Sequence, residues 1–187
     1  MKIAVTGGIG SGKSYFCRLL GDCVIAVDDC DAGAKRLMAH SERLQEKLRR
    51  LVGEGVYIDH VLQKSVLAQF LLASEDNKLA VDEIVHPAVA ADFLSSGLDW
   101  LESAILFDSG FCRRVHFDKI VCVSAPLEVR IRRVMERDGI SRAGAMEWIG
   151  RQMAQQEVEK RCNYVVVNDG RDLHRQIIEL LKQINDK

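Results

Sequence analysis

The chain has 187 residues, 48% of them hydrophobic, with 26 basic and 27 acidic side chains and a net charge of -1. That is enough apolar material for a packed core, which excludes a disordered chain. The charge balance gives no support for a nucleic-acid surface, although a local basic patch would still suit phosphate groups.

Lys2 to Thr6 is a short run rich in β-branched residues and bounded by glycines, and reads as a buried strand. Ser14 to Leu20 reads as a helix with Gly21 as its stop. Cys23 to Val27 reads as a second strand, ending in the acidic cluster Asp28-Asp29-Cys30-Asp31. A long helical stretch follows from about Ala32 to Ser96, with interruptions near Ser41, Gly53 to Gly55, Ser74 and His86-Pro87. Trp100 to Phe107 is a third strand and Lys119 to Ser124 a fourth. Leu127 to Arg137 is helical, with Leu127, Ile131 and Val134 spaced to share one face. Arg142 to Lys160 reads as polar and helical, Tyr164 to Val167 as a last strand, and Leu173 to Ile184 as a last helix. This alternation predicts an α/β fold with a central parallel sheet, whose ligands sit beyond the carboxyl ends of the strands.

The stretch Gly7-Gly8-Ile9-Gly10-Ser11-Gly12-Lys13-Ser14 matches the P-loop pattern and lies between a predicted strand and a predicted helix, the context such a loop requires. Glycines let successive amides curl around phosphate oxygens, and the helix that starts there adds its positive end. Lys13 is placed to reach the β- and γ-phosphates, and the Ser14 hydroxyl to ligate Mg²⁺. Asp29 and Asp31 follow the second strand. A carboxylate there suits a general base or a metal ligand reached through water, and equally an N-cap for the next helix. Their two-residue spacing puts both on one side of an extended chain and does not choose between them. Arg130, Arg133 and Arg137 recur on one helical face. Arg130 and Arg132 read as a solvated basic face, whereas Arg137 precedes Asp138-Gly139, a predicted hinge into the polar segment. His86 reads as the terminus of a helix before Pro87.

The six cysteines, Cys17, Cys23, Cys30, Cys112, Cys122 and Cys162, form no C-x-x-C pair and read as reduced thiols. No apolar run reaches the roughly 18 residues of a membrane span, and the apolar stretch after Lys2 is too short for a signal peptide. The expected location is the cytoplasm, with no membrane partner and no nucleic acid.

These motifs, in this order, resemble the dephospho-CoA kinase family. The P-loop from Thr6 to Ser14 has that family's form, and Asp29-Cys30-Asp31 stands at its D-x-D. Ile84-Val85-His86-Pro87 resembles its H-P element, and Arg133 to Asp138 its R-x-x-x-R-D element. Gln152 stands at its lid glutamine, and Tyr164 to Asn168 at its final strand and asparagine. The likeness is collinear from Lys2 to about Gly170.

The resemblance implies a P-loop NTPase fold of the adenylate-kinase type with a five-stranded parallel sheet flanked by helices. One P-loop kinase domain is expected over 1–187. Its core would be about 1–31, 98–138 and 161–187, with a helical CoA-binding region at about 32–97 and a lid at about 139–160. The implied reaction is transfer of phosphate from ATP, with Mg²⁺, to the ribose 3′-hydroxyl of dephospho-CoA. Asp31 is then the general base, Asp29 serves metal or positioning, and Lys13 and Arg137 face the transferring phosphate. Gly8, Gly10, Ser11, Gly12, Lys13, Ser14, Tyr15, Arg137 and Asn168 hold the nucleotide. Asp31, Lys35, Lys64 and His86 hold the acceptor, and Ser14 and Asp29 the metal. A monomer or weak homo-oligomer is expected.

Lys35 and Lys64 depart from the arginines frequent in the family, Asp108 from its usual glutamate, Cys162-Asn163 from its Ala-Asp, and Gln155 from a lid arginine. On the P-loop alone, another small-molecule kinase of nucleoside or shikimate type, or a non-catalytic nucleotide switch, stays open.

Overall fold

The computed structural model describes residues 1–185. The chain divides into one unit made of Met1–Asp28 with Leu98–Lys187, and a second unit, Asp29–Gly97.

The first unit is built on a parallel sheet of five strands: β1 Ile3–Thr6, β2 Val27–Asp29, β5 Trp100–Glu102, β6 Lys119–Ser124 and β7 Tyr164–Val167, in the order β2-β5-β1-β6-β7. β1 pairs with β5 on one side and β6 on the other, with Ala4 opposite Leu101 and Ile120, and β6 pairs with β7. All four residues of β1 are buried, as expected of a central parallel strand covered on both faces.

One sheet face supplies Ile3, Val5, Val121, Val123 and Val166 to the main core. The helix α1 (Lys13–Asp22) adds Phe16, Leu19 and Leu20. The last helix, α9 (Leu173–Asn185), adds Leu173, Ile177, Leu180 and Ile184, a spacing that lines one helical face. Each such side chain contributes roughly 1.5–3 kcal/mol on burial. Outside this core, α8 (Gln155–Lys160) packs on β6, and α6 (Leu127–Asp138) packs on α7 (Arg142–Gly150). Ile131, Val134 and Ala145 form a smaller core there, with Ile140 and Ile149 against it. Leu127, expected on the buried face, is 51% exposed.

The second unit is helical: α2 Cys30–His40, α3 Glu42–Val52, α4 Lys64–Ala73 and α5 Glu75–Ser95. Ser41 and Ser74 cap α3 and α5, each accepting from the amide three residues on. Between α3 and α4 lies a hairpin, β3 (Tyr57–Ile58) with β4 (Val61–Leu62). The sequence reading missed it because its turn residues, Asp59 and His60, take positive φ of 48° and 63° without a glycine to announce the turn.

Four further boundaries differ from expectation. The second strand starts at Val27, because α1 runs through Gly21 to Asp22 and the chain then turns through Val24, at φ 63°. The third strand stops at Glu102. His86-Pro87 does not break a helix. Both lie inside α5, where the lost proline hydrogen bond is offset by burial of Val81, Val85, Val89, Ala90 and Phe93. Finally, the 142–160 stretch is two helices rather than one. No helix among the described residues is long and apolar enough to cross a membrane.

Candidate active site

The loop between β1 and α1 is held from behind at three successive carbonyls. Arg130 Nε donates to the Ile9 carbonyl at 2.9 Å. Arg133 donates to the carbonyls of Gly10 at 3.3 Å and Ser11 at 3.2 Å. Asn168 Nδ2 donates to the Ser11 carbonyl at 3.0 Å. In a planar trans peptide the carbonyl of one residue and the amide of the next point in opposite directions. Turning the Ile9 and Ser11 carbonyls toward these donors therefore turns the Gly10 and Gly12 amides the other way, into the concave side of the loop. The result is an anion nest, extended by the positive N-terminal end of α1, where the Tyr15 and Phe16 amides already donate to the Gly12 carbonyl at 3.1 and 3.0 Å.

Close packing sets the residue types. Gly12, the N-cap of α1, has φ 90°, and a Cβ there would lie 2.2 Å from Asn168 Nδ2. A Cβ on Gly8 would lie 2.2 Å from the Arg130 guanidinium. Lys13 opens α1 and is 9% exposed, so it is packed into the head of the helix as well as placed at the loop. The Ser11 hydroxyl is buried and, among the described residues, has no hydrogen-bond partner. Ser14 and Tyr15 are exposed on the first turn of α1, and Arg18 lies over the Tyr15 ring at 5.5 Å.

The Ser14 hydroxyl donates to Glu102 Oε1 at 3.1 Å. Glu102 ends β5 and was not singled out from the sequence. The available signal was an acid closing a strand next to β1. A hydroxyl and a carboxylate at this spacing are hard oxygen donors of the kind Mg²⁺ takes alongside substrate phosphates. Among the described residues no three His, Cys, Asp or Glu side chains gather into a metal site made of protein alone.

The arginines are distributed differently from expectation. Arg130 is 5% exposed rather than on a solvated face, and burial pushes its pKa down. Its position on α6 turns it under the loop, a fact that helical periodicity does not carry. Arg132 is exposed. Arg133 also donates to Asn168 Oδ1 at 3.2 Å, so both brace the Ser11 carbonyl together. Arg137 is exposed and forks onto its neighbour Asp138 at 2.7–3.1 Å, which raises the pKa of Arg137 and lowers that of Asp138.

The segment after the Gly139 cap is tied down at several points. Arg142 makes a bidentate pair with Glu128 at 2.8 and 2.7 Å, which pulls the Glu128 pKa down. Gln152 Oε1 accepts the Ile9 amide at 2.7 Å. Gln155 accepts from Arg130 at 3.0 Å. Asp108 accepts the Met153 amide at 3.3 Å, and Asn163 pairs with both backbone groups of Ile120.

In the second unit, Asp29 is the N-cap of α2. Its Oδ1 accepts from the amides of Asp31 at 2.9 Å and Ala32 at 3.0 Å. The N-cap reading of the acidic cluster therefore holds for Asp29. Asp31 sits in the first turn, exposed, and among the described residues its carboxylate accepts no hydrogen bond. Lys35 on α2 and Lys64 at the start of α4 are exposed. His86 is largely covered, with Nε2 3.5 Å from Asp82 Oδ1.

Comparison with known proteins decides the family. Residues 1–173 match the dephospho-CoA kinase family. The chain belongs to that family. A dephospho-CoA kinase of Bacteroides fragilis is 40% identical, over 100% of this chain and 94% of the relative. A crystal structure from Thermus thermophilus superposes with a TM-score of 0.81 at 35% identity, covering 99% of this chain and 98% of the other. Shikimate kinase from Bacteroides thetaiotaomicron, at 14% identity and a TM-score of 0.56, shares the fold. Family membership makes the chain a kinase that uses ATP to phosphorylate dephospho-CoA, a reaction of coenzyme A biosynthesis.

Proposed function

We propose that the chain transfers the γ-phosphate of ATP to the ribose 3′-hydroxyl of dephospho-CoA, with Asp31 as the base. The hydroxyl oxygen attacks phosphorus, the bond to the β-phosphate oxygen breaks, ADP leaves, and the hydroxyl proton passes to Asp31. Asp31 is favoured over Asp29 because Asp29 Oδ1 is committed to the α2 amides while the Asp31 carboxylate is not. Asp29 then assists metal binding or positioning.

Lys13 and the amides of the loop, at Gly8, Gly10, Gly12 and Ser14, match the charge on the transferring group, with Ser11 and Tyr15, whose amides donate to the Gly8 and Gly12 carbonyls, shaping the loop around it. Ser14 would hold Mg²⁺, with Glu102 beside it. When bound, the ion neutralises charge on the β- and γ-phosphate oxygens. Arg137 exchanges Asp138 for ATP phosphates from the lid side, and Asn168 acts by holding the loop. Lys35, Lys64 and His86 serve the acceptor. The 139–160 segment closes over the site, because water reaching the γ-phosphate would hydrolyse it. Six free thiols fit a reducing compartment, the cytoplasm.

The P-loop geometry in a chain of this family carries the reading. ADP release measured with dephospho-CoA, AMP, CMP and shikimate tests it. Stimulation is expected with dephospho-CoA alone, and preference for another acceptor would sink the acceptor assignment.

A further inference from the structure

We infer that Arg130 is a positioning residue for phosphoryl transfer, which holds the back of the P-loop at Gly8 and Ile9 and takes its own orientation from a polar chain of Gln155, Ser124 and Glu159. The inference rests on the kinase reading above.

The guanidinium is buried, and among the described residues no carboxylate pairs with it directly. Its Nε is spent on the Ile9 carbonyl and one terminal nitrogen on Gln155 Oε1. The Gln155 amide in turn donates to Ser124 Oγ and, at 2.9 Å, to Glu159 Oε1. The Ser124 hydroxyl donates to the same carboxylate oxygen at 2.6 Å. A negative charge thus reaches the guanidinium only through a neutral amide whose two ends are both occupied. Burying a cation without an adjacent anion works against its charge, and an apolar side chain would fill the same volume without that penalty. What an apolar side chain would not do is bind the Ile9 carbonyl.

That carbonyl matters because its peptide plane sets the direction of the Gly10 amide. The loop also lies directly on this residue: added Cβ atoms would come within 2.2 Å of the guanidinium at Gly8 and 2.7 Å of the Arg130 carbonyl at Gly10. Gln152 takes the Ile9 amide at the same time. Ile9 is therefore gripped at both of its peptide groups, by Arg130 on one side and by the segment between α7 and α8 on the other. Gln155, which opens α8 just beyond that segment, aims the arginine. Loss of either Arg130 or Gln155 leaves the Ile9–Gly10 peptide free to rotate and withdraws an amide from the phosphate.

Steady-state kinetics of Arg130→Gln, Gln155→Leu and the double variant test this, with thermal unfolding run alongside. Arg130→Gln is expected to lower kcat/KM for ATP by about 100-fold, the scale of a small misplacement at a reacting centre, with KM for dephospho-CoA unchanged. Gln155→Leu is expected to act in the same direction by about 10-fold, and the double variant to lose no more than Arg130→Gln alone, because the two residues act in series. Unchanged kcat/KM for ATP in folded Arg130→Gln would overturn the inference. So would additive losses, or a loss confined to KM for dephospho-CoA. Should Arg130→Gln fail to fold, Gln155→Leu decides: full ATP efficiency there overturns it. Calorimetric binding of ADP to the same proteins separates this from the kinase reading. A wild type that binds ADP but ignores dephospho-CoA breaks the acceptor assignment only, whereas equal ADP affinity in wild type and Arg130→Gln breaks the role of Arg130.

Discussion

The Ser14 hydroxyl, on the first turn of α1, donates to the Glu102 carboxylate at the end of the neighbouring strand β5, at 3.1 Å. The pair joins the P-loop helix to an acid that no P-loop pattern contains. Glu102→Gln keeps the hydrogen-bond acceptor but removes the charge that, on the proposed reading, would help hold a divalent cation. Turnover at limiting Mg²⁺ is expected to fall by about 10- to 100-fold, the usual range when metal-supporting groups are lost, and to recover at high Mg²⁺. A magnesium titration of initial rates checks this. An unshifted Mg²⁺ dependence would remove Glu102 from the metal site.

Lys13 is buried at the head of α1, so Lys13→Ala touches packing as well as charge. Turnover is expected to fall by at least about 10²- to 10³-fold, because charge on the transferring group is left unmatched. Lys13→Met retains most of the packed volume and is expected to be as inactive, with a smaller loss in Tm. Paired thermal melts and ADP-release rates separate the two effects, and an active Lys13→Met would defeat the assignment.

Asp31 and Asp29 are separated by what each carboxylate already does. Asp31→Asn is expected to lose turnover by about 10²- to 10⁴-fold, the usual contribution of a general base, with ATP affinity little changed. Asp29→Asn preserves the cap on α2, since asparagine caps as well as aspartate. Asp29→Ala should cost about 1 kcal/mol of stability. Single-turnover rates, ATP affinities and denaturant melts of the three variants read this out. A fully active Asp31→Asn would move the base elsewhere.

Glu128 and Arg142 bridge α6 to α7 across the Gly139 turn. The Glu128 pKa is held below its ordinary value by Arg142, so the tie is complete above the ordinary carboxylate range. It is lost as pH falls through the depressed folded value. Glu128→Gln is expected to speed hydrogen exchange across 139–160 at neutral pH. Exchange in the wild type should slow when ATP and dephospho-CoA are both bound. Identical exchange in free and doubly bound protein would count against closure of this segment.

The sequence alone determined the features that are local in the chain. The P-loop was legible because its glycines, lysine and serine are consecutive, and because a β-branched run precedes them and an amphipathic helix follows. β6, β7, α6 and α9 were legible for the same reason, since burial on one face imposes a short-range period on the residues. The tertiary structure alone decided which distant side chains reach the loop. Arg130 and Arg132 differ by two positions and look alike as letters, yet one is buried under Ile9 and the other faces solvent. The difference comes from which side of α6 faces the P-loop. Glu102 meets Ser14 only because β5 pairs with β1. Asn168 reaches the Ser11 carbonyl only because β7 joins the sheet beyond β6. Pro87 stays within α5 because the buried face of that helix outweighs a local breaker. In each case the deciding free energy comes from contacts between segments far apart in the chain, and neither the period nor the propensity of either segment encodes which partner it will meet.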